Sequence, residues 1–222
     1  MTENKLSVPQ KTGGDAAHAV VKAGLSAIPV VGGPAAELFQ NIVQPPLEKR
    51  RVRWMEQVGE KLEELEEKGL NLESLQSNEQ FVTAVMHASQ VALRTHQAAK
   101  LDALRNAILN IAKGQAPDET VQHLFLGFVD SLTDQHLRIL KIFQAPTPPP
   151  NMSIGGLGRV LEHNIPELRG RQDLYTQLWR DLYSRGLLNT DGLNVTMSGS
   201  GLPAKRTTSL GDAFLKFIAG DP

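Results

Sequence analysis

Residues 145–150 read APTPPP, and this run divides the chain of 222 residues into two parts. Three consecutive prolines cannot continue a helix, and such a run forms a semi-rigid spacer. No stretch before it alternates apolar and polar residues, whereas one stretch after it does. We therefore predict a flexible tail at residues 1–14, a helical bundle at 15–145, a proline-rich linker at 146–150 and a winged-helix-like domain at 151–222.

The bundle is predicted to start with an apolar helical hairpin and a long amphipathic helix. The hairpin covers Ala16–Val43, where Ala, Gly and Val dominate and Pro29 breaks the first helix. The long helix runs from Pro45 to Lys68, because apolar residues recur there every three or four positions. Its apolar stripe consists of Val52, Met55, Val58, Leu62 and Leu65.

Capping residues place the remaining helices of the bundle. One long helical stretch, capped by Asn78 or Ser77, is predicted to end at Gly114, and two shorter helices are predicted after Asp118 and Thr133. The loops between these periodic segments are short, which favours antiparallel packing of neighbouring helices.

The segment after the linker predicts two helices, a β-hairpin and a last helix. The helices cover Ile154–His163 and Arg171–Arg185, the strands cover Leu193–Met197 and Lys205–Thr208, and the last helix covers Leu210–Ile218. This order is typical of a winged-helix domain, and the closing TTSLGDAFLKFI resembles the end of many such domains. The predicted fold class is therefore mainly α, with one small α+β domain that contains one β-hairpin.

Composition excludes several classes of protein. The 23 Lys and Arg residues and 24 Asp and Glu residues nearly cancel, so the overall charge does not favour nucleic acid binding. The chain has no cysteine, which excludes disulfides and thiol chemistry and fits a cytoplasmic location. No apolar run approaches the roughly 20 residues of a membrane-spanning helix, and the polar stretch containing Asp15 leads us to expect no cleavable signal.

No motif in the sequence predicts catalysis, a cofactor or a metal site. The six histidines are scattered, and no two of them lie three or four residues apart on one predicted helix. The glutamates between Glu60 and Glu67 are typical of a solvated helix face. The glycines in SIGGLGRV lack the remainder of a phosphate-binding motif. We therefore predict that the protein is not an enzyme.

Basic residues crowd the start of the long helix, where the helix dipole disfavours them. They are Lys49, Arg50, Arg51 and Arg53, and acidic residues crowd the other end. Intrahelical stability does not explain this order, so the cluster is predicted to meet an acidic neighbour in the fold, an anionic partner or a membrane surface.

The second helix and the wing of the winged-helix-like domain form another candidate surface. Arg171, Gln172, Thr176 and Arg180 can face outward from the helix, and Lys205 and Arg206 would lie on the wing. These residue types suit contacts with the phosphates and base edges of double-stranded DNA. Residues 151–222 are nearly neutral, however, and winged helices also bind proteins, so both kinds of partner stay open.

The stretch PDETVQHLFLGFVDSLTDQHLRILKIF, from Pro117 to Phe143, resembles the late helices of prokaryotic abortive-infection alpha-type proteins. The resemblance implies a bacterial, non-enzymatic protein of phage defence and assigns no residue a role. We therefore predict an interaction protein that binds a protein partner or a second copy of itself. A DNA-binding regulator and a triggered membrane-active effector that uses Ala16–Val43 are the alternatives.

Overall fold

The structure is a computed structural model that describes residues 42 and 44–220. The predicted tail and nearly all of the predicted apolar hairpin lie outside these residues. Contacts divide the chain into two compact units, Met1–Leu126 and Gly127–Pro222. The described residues form nine α-helices and one two-stranded antiparallel sheet, which confirms a mainly helical fold with a small α+β region.

The first unit contains four helices and most of a fifth. These are α1 (Gln44–Glu67), α2 (Leu72–Gln76), α3 (Glu79–Arg94), α4 (Ala98–Ala112) and α5 (Glu119–Ser131), and the division between the units falls inside α5. The second unit contains α6 (Asp134–Ile142), β1 (Ile154–Gly155), α7 (Leu157–Asn164), a 3₁₀ turn (Pro166–Leu168), α8 (Gln172–Ser184), β2 (Met197–Ser198) and α9 (Ser209–Phe217).

The core of the first unit is built on α3, which packs against α1, α2 and α4. The α1 residues buried there are Trp54, Val58 and Leu62, spaced four apart along one face. Trp54 also donates a hydrogen bond from Nε1 to Ser89 Oγ at 2.9 Å. The predicted stripe is therefore partly wrong: Val52 is 44% exposed, because the side chain that fills the core is Trp54.

The predicted long stretch from Asn78 to Gly114 is two helices. The chain becomes extended at Thr95, and the Thr95 hydroxyl accepts a hydrogen bond from the Gln97 backbone N–H at 3.2 Å before α4 begins. The predicted cap at Asn78 is confirmed, since its side chain accepts a hydrogen bond from the Phe81 N–H at 3.0 Å. Asp118 likewise caps α5.

The contacts do not divide the chain at the predicted linker. Helix α6, which was predicted to close the bundle, packs against α8 and α9 in the second unit. Just after it, the Phe143 ring meets Trp179 edge-on at 4.7 Å, and Phe143 O accepts a hydrogen bond from the Arg206 N–H at 2.8 Å. Pro146 is buried, and Thr147 O accepts a hydrogen bond from Asn164. The proline run is therefore part of the second unit, because Phe143 before it packs on Trp179 and Thr147 within it bonds to Asn164.

The predicted β-hairpin is also wrong. Strand β2, at the end of the predicted first strand, pairs with β1 in the register Ile154↔Ser198 and Gly155↔Met197. The predicted second strand forms only one bridge, Leu188↔Thr207. Ile154 had been predicted as the start of a helix. The glycines that follow it allow this pairing, because a side chain at Gly156 would approach Leu193 O to 3.3 Å.

Candidate functional site

Helices α7 and α8 follow one another in the second unit in the order helix, turn, helix, and the 3₁₀ turn between them contacts both. Its inner side is apolar and anchors α8 through Trp179, which is fully buried. The Trp179 indole N–H donates to Thr190 O at 2.9 Å, and its ring packs on Phe143. A helix held in this way presents its outer side in a fixed orientation.

The outer side of α8 is defined here as the α8 face. It consists of Gln172, Asp173, Thr176, Gln177, Arg180 and Tyr183, of which only Thr176 is half-buried. Gln172, Thr176 and Arg180 follow one another at four-residue spacing and therefore share one line, as predicted. Arg171 precedes the helix as its N-terminal cap residue. Arg180 makes no hydrogen bond or ion pair with any residue that the structure describes, and Tyr183 is 42% exposed.

The two basic residues predicted for the wing are engaged inside the second unit. Lys205 Nζ forms an ion pair with Asp212 at the start of α9. The Arg206 guanidinium donates to Gly201 O and lies against Met197 Sδ. Both residues that were predicted as ligand contacts therefore already have acceptors inside the unit, although the Lys205 side chain is still 51% exposed.

Asp212 is the centre of a polar network that fixes the start of α9. Its carboxylate accepts hydrogen bonds from Thr207 Oγ1 at 2.6 Å and from Gln144 Nε2 at 3.2 Å, besides the ion pair with Lys205. Burial raises the pKa of Asp212, but the bonds from Lys205, Thr207 and Gln144 outweigh it and lower the pKa below its ordinary value. The network links three segments of the second unit and has a structural role.

His136 on α6 is buried and contacts α8, and no sequence motif had singled it out. The Thr133 backbone N–H donates to Nδ1 of His136 at 3.0 Å, which assigns the ring proton to Nε2. That nitrogen lies 3.4 Å from Asp181 Oδ2, and Gln177 bonds the other oxygen of Asp181 at 2.8 Å. Because Nδ1 caps α6 through Thr133, the histidine links α6 to α8 and is not arranged as a catalytic base.

The basic cluster at the start of α1 divides into two engaged and two free residues. Arg51 pairs with Glu48 at 2.6 Å, and Arg50 donates to Leu93 O, at the end of α3, at 3.4 Å. Lys49 and Arg53 are exposed and make no hydrogen bond or ion pair within residues 42 and 44–220. The partner of Arg51 is thus a residue of its own helix, and the C-terminal end of α3 serves Arg50.

The free residues border an open hollow of about 330 Å³ on α1. Its lining is Glu48, Lys49, Val52, Arg53 and Glu56. No helix among the described residues is long and apolar enough to cross a membrane.

Histidines from different helices do approach one another in the first unit. The rings of His87 on α3 and His123 on α5 lie 6.2 Å apart between centroids. In the described part of the chain, however, no group of three or more His, Cys, Asp or Glu residues could hold a metal ion.

Comparison with known proteins adds no assignment to these surfaces. No protein family, no curated protein and no solved structure matches the chain.

Proposed function

We propose that this is a non-enzymatic binding protein whose second unit docks a protein partner through the α8 face. The observation that carries the proposal is the charge of that face: Asp173 and Arg180 balance each other, and Tyr183 lies beside them. Arginine and tyrosine are enriched at protein interfaces and often dominate their energetics. A duplex, in contrast, is bound mainly through cations that meet its phosphates, and Lys205, before α9, is already paired with Asp212.

The rigid anchoring of α8 supports this proposal. Trp179 and the link between His136 and Asp181 hold the inner side of the helix, so its outer side loses little conformational freedom on binding. Arg180 lies at the centre of the face, with Thr176 four residues before it and Tyr183 three residues after it. The side chains of Arg180 and Tyr183 are the expected anchors of the interface.

Affinity capture from the native host, quantified by mass spectrometry, tests the proposal. The wild-type protein is expected to enrich a protein that both Arg180→Glu and Tyr183→Ala lose, each by at least tenfold. Lys141→Glu is the matched control, because Lys141 is exposed on α6 of the same unit and lies outside the α8 face. Equal recovery by all four proteins would contradict the proposal. Sedimentation of the purified proteins shows whether the partner is a second copy of the chain.

DNA binding is the second candidate, favoured by the alignment of Gln172, Thr176 and Arg180 on α8, the second helix of the helix, turn, helix order. Because Lys205 is engaged with Asp212, Arg180→Ala should weaken duplex binding more than Lys205→Ala. Fluorescence anisotropy with a mixed-sequence duplex at low salt measures the affinity of both variants. The affinity of the wild-type protein should fall steeply as salt is added. No complex at micromolar protein would remove this candidate.

A role in phage defence is proposed on the resemblance of residues 117–143 alone. Expression in a phage-sensitive bacterial host should lower the plating efficiency of at least one phage in a broad panel. Unchanged plating across that panel, with the protein detected in the cells, would contradict this role.

A further inference from the structure

We propose that the first half of α1 docks on an anionic lipid surface through Lys49 and Arg53, with Val52 and Ile42 entering the interface. Val52 and Arg53 lie three and four residues after Lys49, and Ile42, just before α1, lies seven residues before Lys49, so all three lie on the same side of the helical backbone as Lys49. The opposite side holds Trp54 and the core. Among the described residues, the solvent side of α1 therefore combines cations without a partner with exposed apolar side chains, and no contact in the described part of the first unit accounts for them.

The charges of this side call for an external anion. Lys49 and Arg53 lie four residues apart on α1, where like charges destabilise a helix, and a nearby anion relieves this repulsion. Arg51 has an acceptor in Glu48, and Arg50 has one in Leu93 O. Lys49 and Arg53 have none among the described residues, and both border the open hollow on α1. A phosphate headgroup in that hollow would serve both cations.

The exposed apolar side chains favour an anionic lipid surface over a polyanion such as a nucleic acid as the ligand. Ile42 is 63% exposed and Val52 is 44% exposed, and they lie on the same side as the two cations. An interfacial helix buries such side chains at the headgroup boundary while its Lys and Arg residues bind the phosphates. A nucleic acid backbone offers no apolar phase to receive them. In the sequence, the stretch from Ala23 to Ala36, which precedes Ile42, is also uncharged and largely apolar.

Glu56 gives the proposal a gain-of-function test. Its carboxylate borders the same hollow and opposes an anion there. Glu56→Gln should therefore strengthen binding to anionic vesicles but not to neutral ones, whereas the apolar surface exposed by misfolding would increase binding to both. Lys49→Glu/Arg53→Glu should weaken it, since each basic residue near an anionic leaflet contributes about fivefold in affinity, or about 30-fold for two. Ile42→Ser/Val52→Ser should weaken binding without any change in net charge.

Co-sedimentation of the full chain with vesicles makes the measurement. One set of vesicles is phosphatidylglycerol mixed with phosphatidylcholine, and the other is phosphatidylcholine alone. Wild type should bind the anionic vesicles selectively. The control is Lys68→Glu/Lys141→Glu, which changes the net charge equally at two exposed lysines elsewhere. This control should bind far better than Lys49→Glu/Arg53→Glu. Circular dichroism confirms that each variant is folded.

Three results would overturn the proposal. The first is equal binding of wild type to both kinds of vesicle, or to neither. The second is equal loss of binding in the two double charge reversals, which would indicate attraction by net charge alone. The third is unchanged affinity in both Glu56→Gln and Ile42→Ser/Val52→Ser. Binding of heparin through Lys49 and Arg53 without binding of vesicles would identify a polyanion as the ligand and would also contradict it.

Discussion

Replacing Ser89 by alanine should destabilise the first unit through one buried hydrogen bond. Trp54 is 2% exposed, Ser89 is fully buried, and the indole N–H lies 2.9 Å from the hydroxyl oxygen. Alanine removes the acceptor and leaves the indole donor without water or any other partner within reach. A buried donor left in this state costs about 1–3 kcal/mol, which is the expected loss in the free energy of unfolding.

Urea unfolding followed by tryptophan fluorescence measures this loss. The chain has two tryptophans, Trp54 in the first unit and Trp179 in the second, so a Trp179→Phe background leaves only the reporter of interest. With a slope of about 2 kcal/mol per molar urea, the midpoint of unfolding should fall by about 0.5–1.5 M. Ser77→Ala, which removes an exposed hydroxyl of the same unit, should change the free energy by less than about 0.5 kcal/mol.

A double-mutant cycle decides whether the hydrogen bond is the cause. In a Trp54→Phe background, with unfolding followed by circular dichroism, Ser89→Ala should cost much less, because no indole donor is left unpaired. The reasoning is refuted if Ser89→Ala costs the same in both backgrounds, or if it changes stability no more than Ser77→Ala does.

Three further variants test other contacts. Gly211→Ala should destabilise the second unit by about 1–3 kcal/mol, measured by Trp179 fluorescence in urea, because its Cβ would clash with the backbone oxygen of Leu187. Asp212→Asn should lower the melting temperature at pH 7 and reduce its fall in acid. The lowered pKa of Asp212 means that its contribution is present above about 3.8 and is lost as the pH falls through the folded-state value. Arg50→Ala should cost up to about 1 kcal/mol in thermal unfolding, because it removes a hydrogen bond to the end of α3.

Local signals in the sequence predicted the helices well. Asn78 and Asp118 were predicted as caps and do accept hydrogen bonds from the third residue after them, because capping depends only on neighbours in the chain. The break at Thr95 was not predicted, since no glycine or proline marks it and apolar residues continue on both sides. A threonine hydroxyl that bonds the backbone is the cause, and many unbroken helices contain the same residue.

Contacts between distant parts of the chain could not be predicted from the sequence. A run of prolines is typical of a spacer, but Phe143 before it packs on Trp179 after it and holds it in one unit. Strands of two residues are too short to show alternation, so the pairing of Ile154 with Ser198 left no pattern to detect. In both places the outcome depends on tertiary contacts, which local sequence patterns do not report.

The sequence also does not predict which charged side chains of the candidate surfaces have partners within the fold. Residue type predicted which side chains are cationic, but Lys205 is paired and Arg180 is not, and only the structure distinguishes them. The two free sets of residues belong to separate units, each with its own core. Arg180→Glu should therefore leave vesicle binding within about twofold of wild type, and Lys49→Glu/Arg53→Glu should leave capture of the protein partner unchanged. If either variant abolishes both activities, the two surfaces act as one site, and the separate assignments proposed for them are wrong.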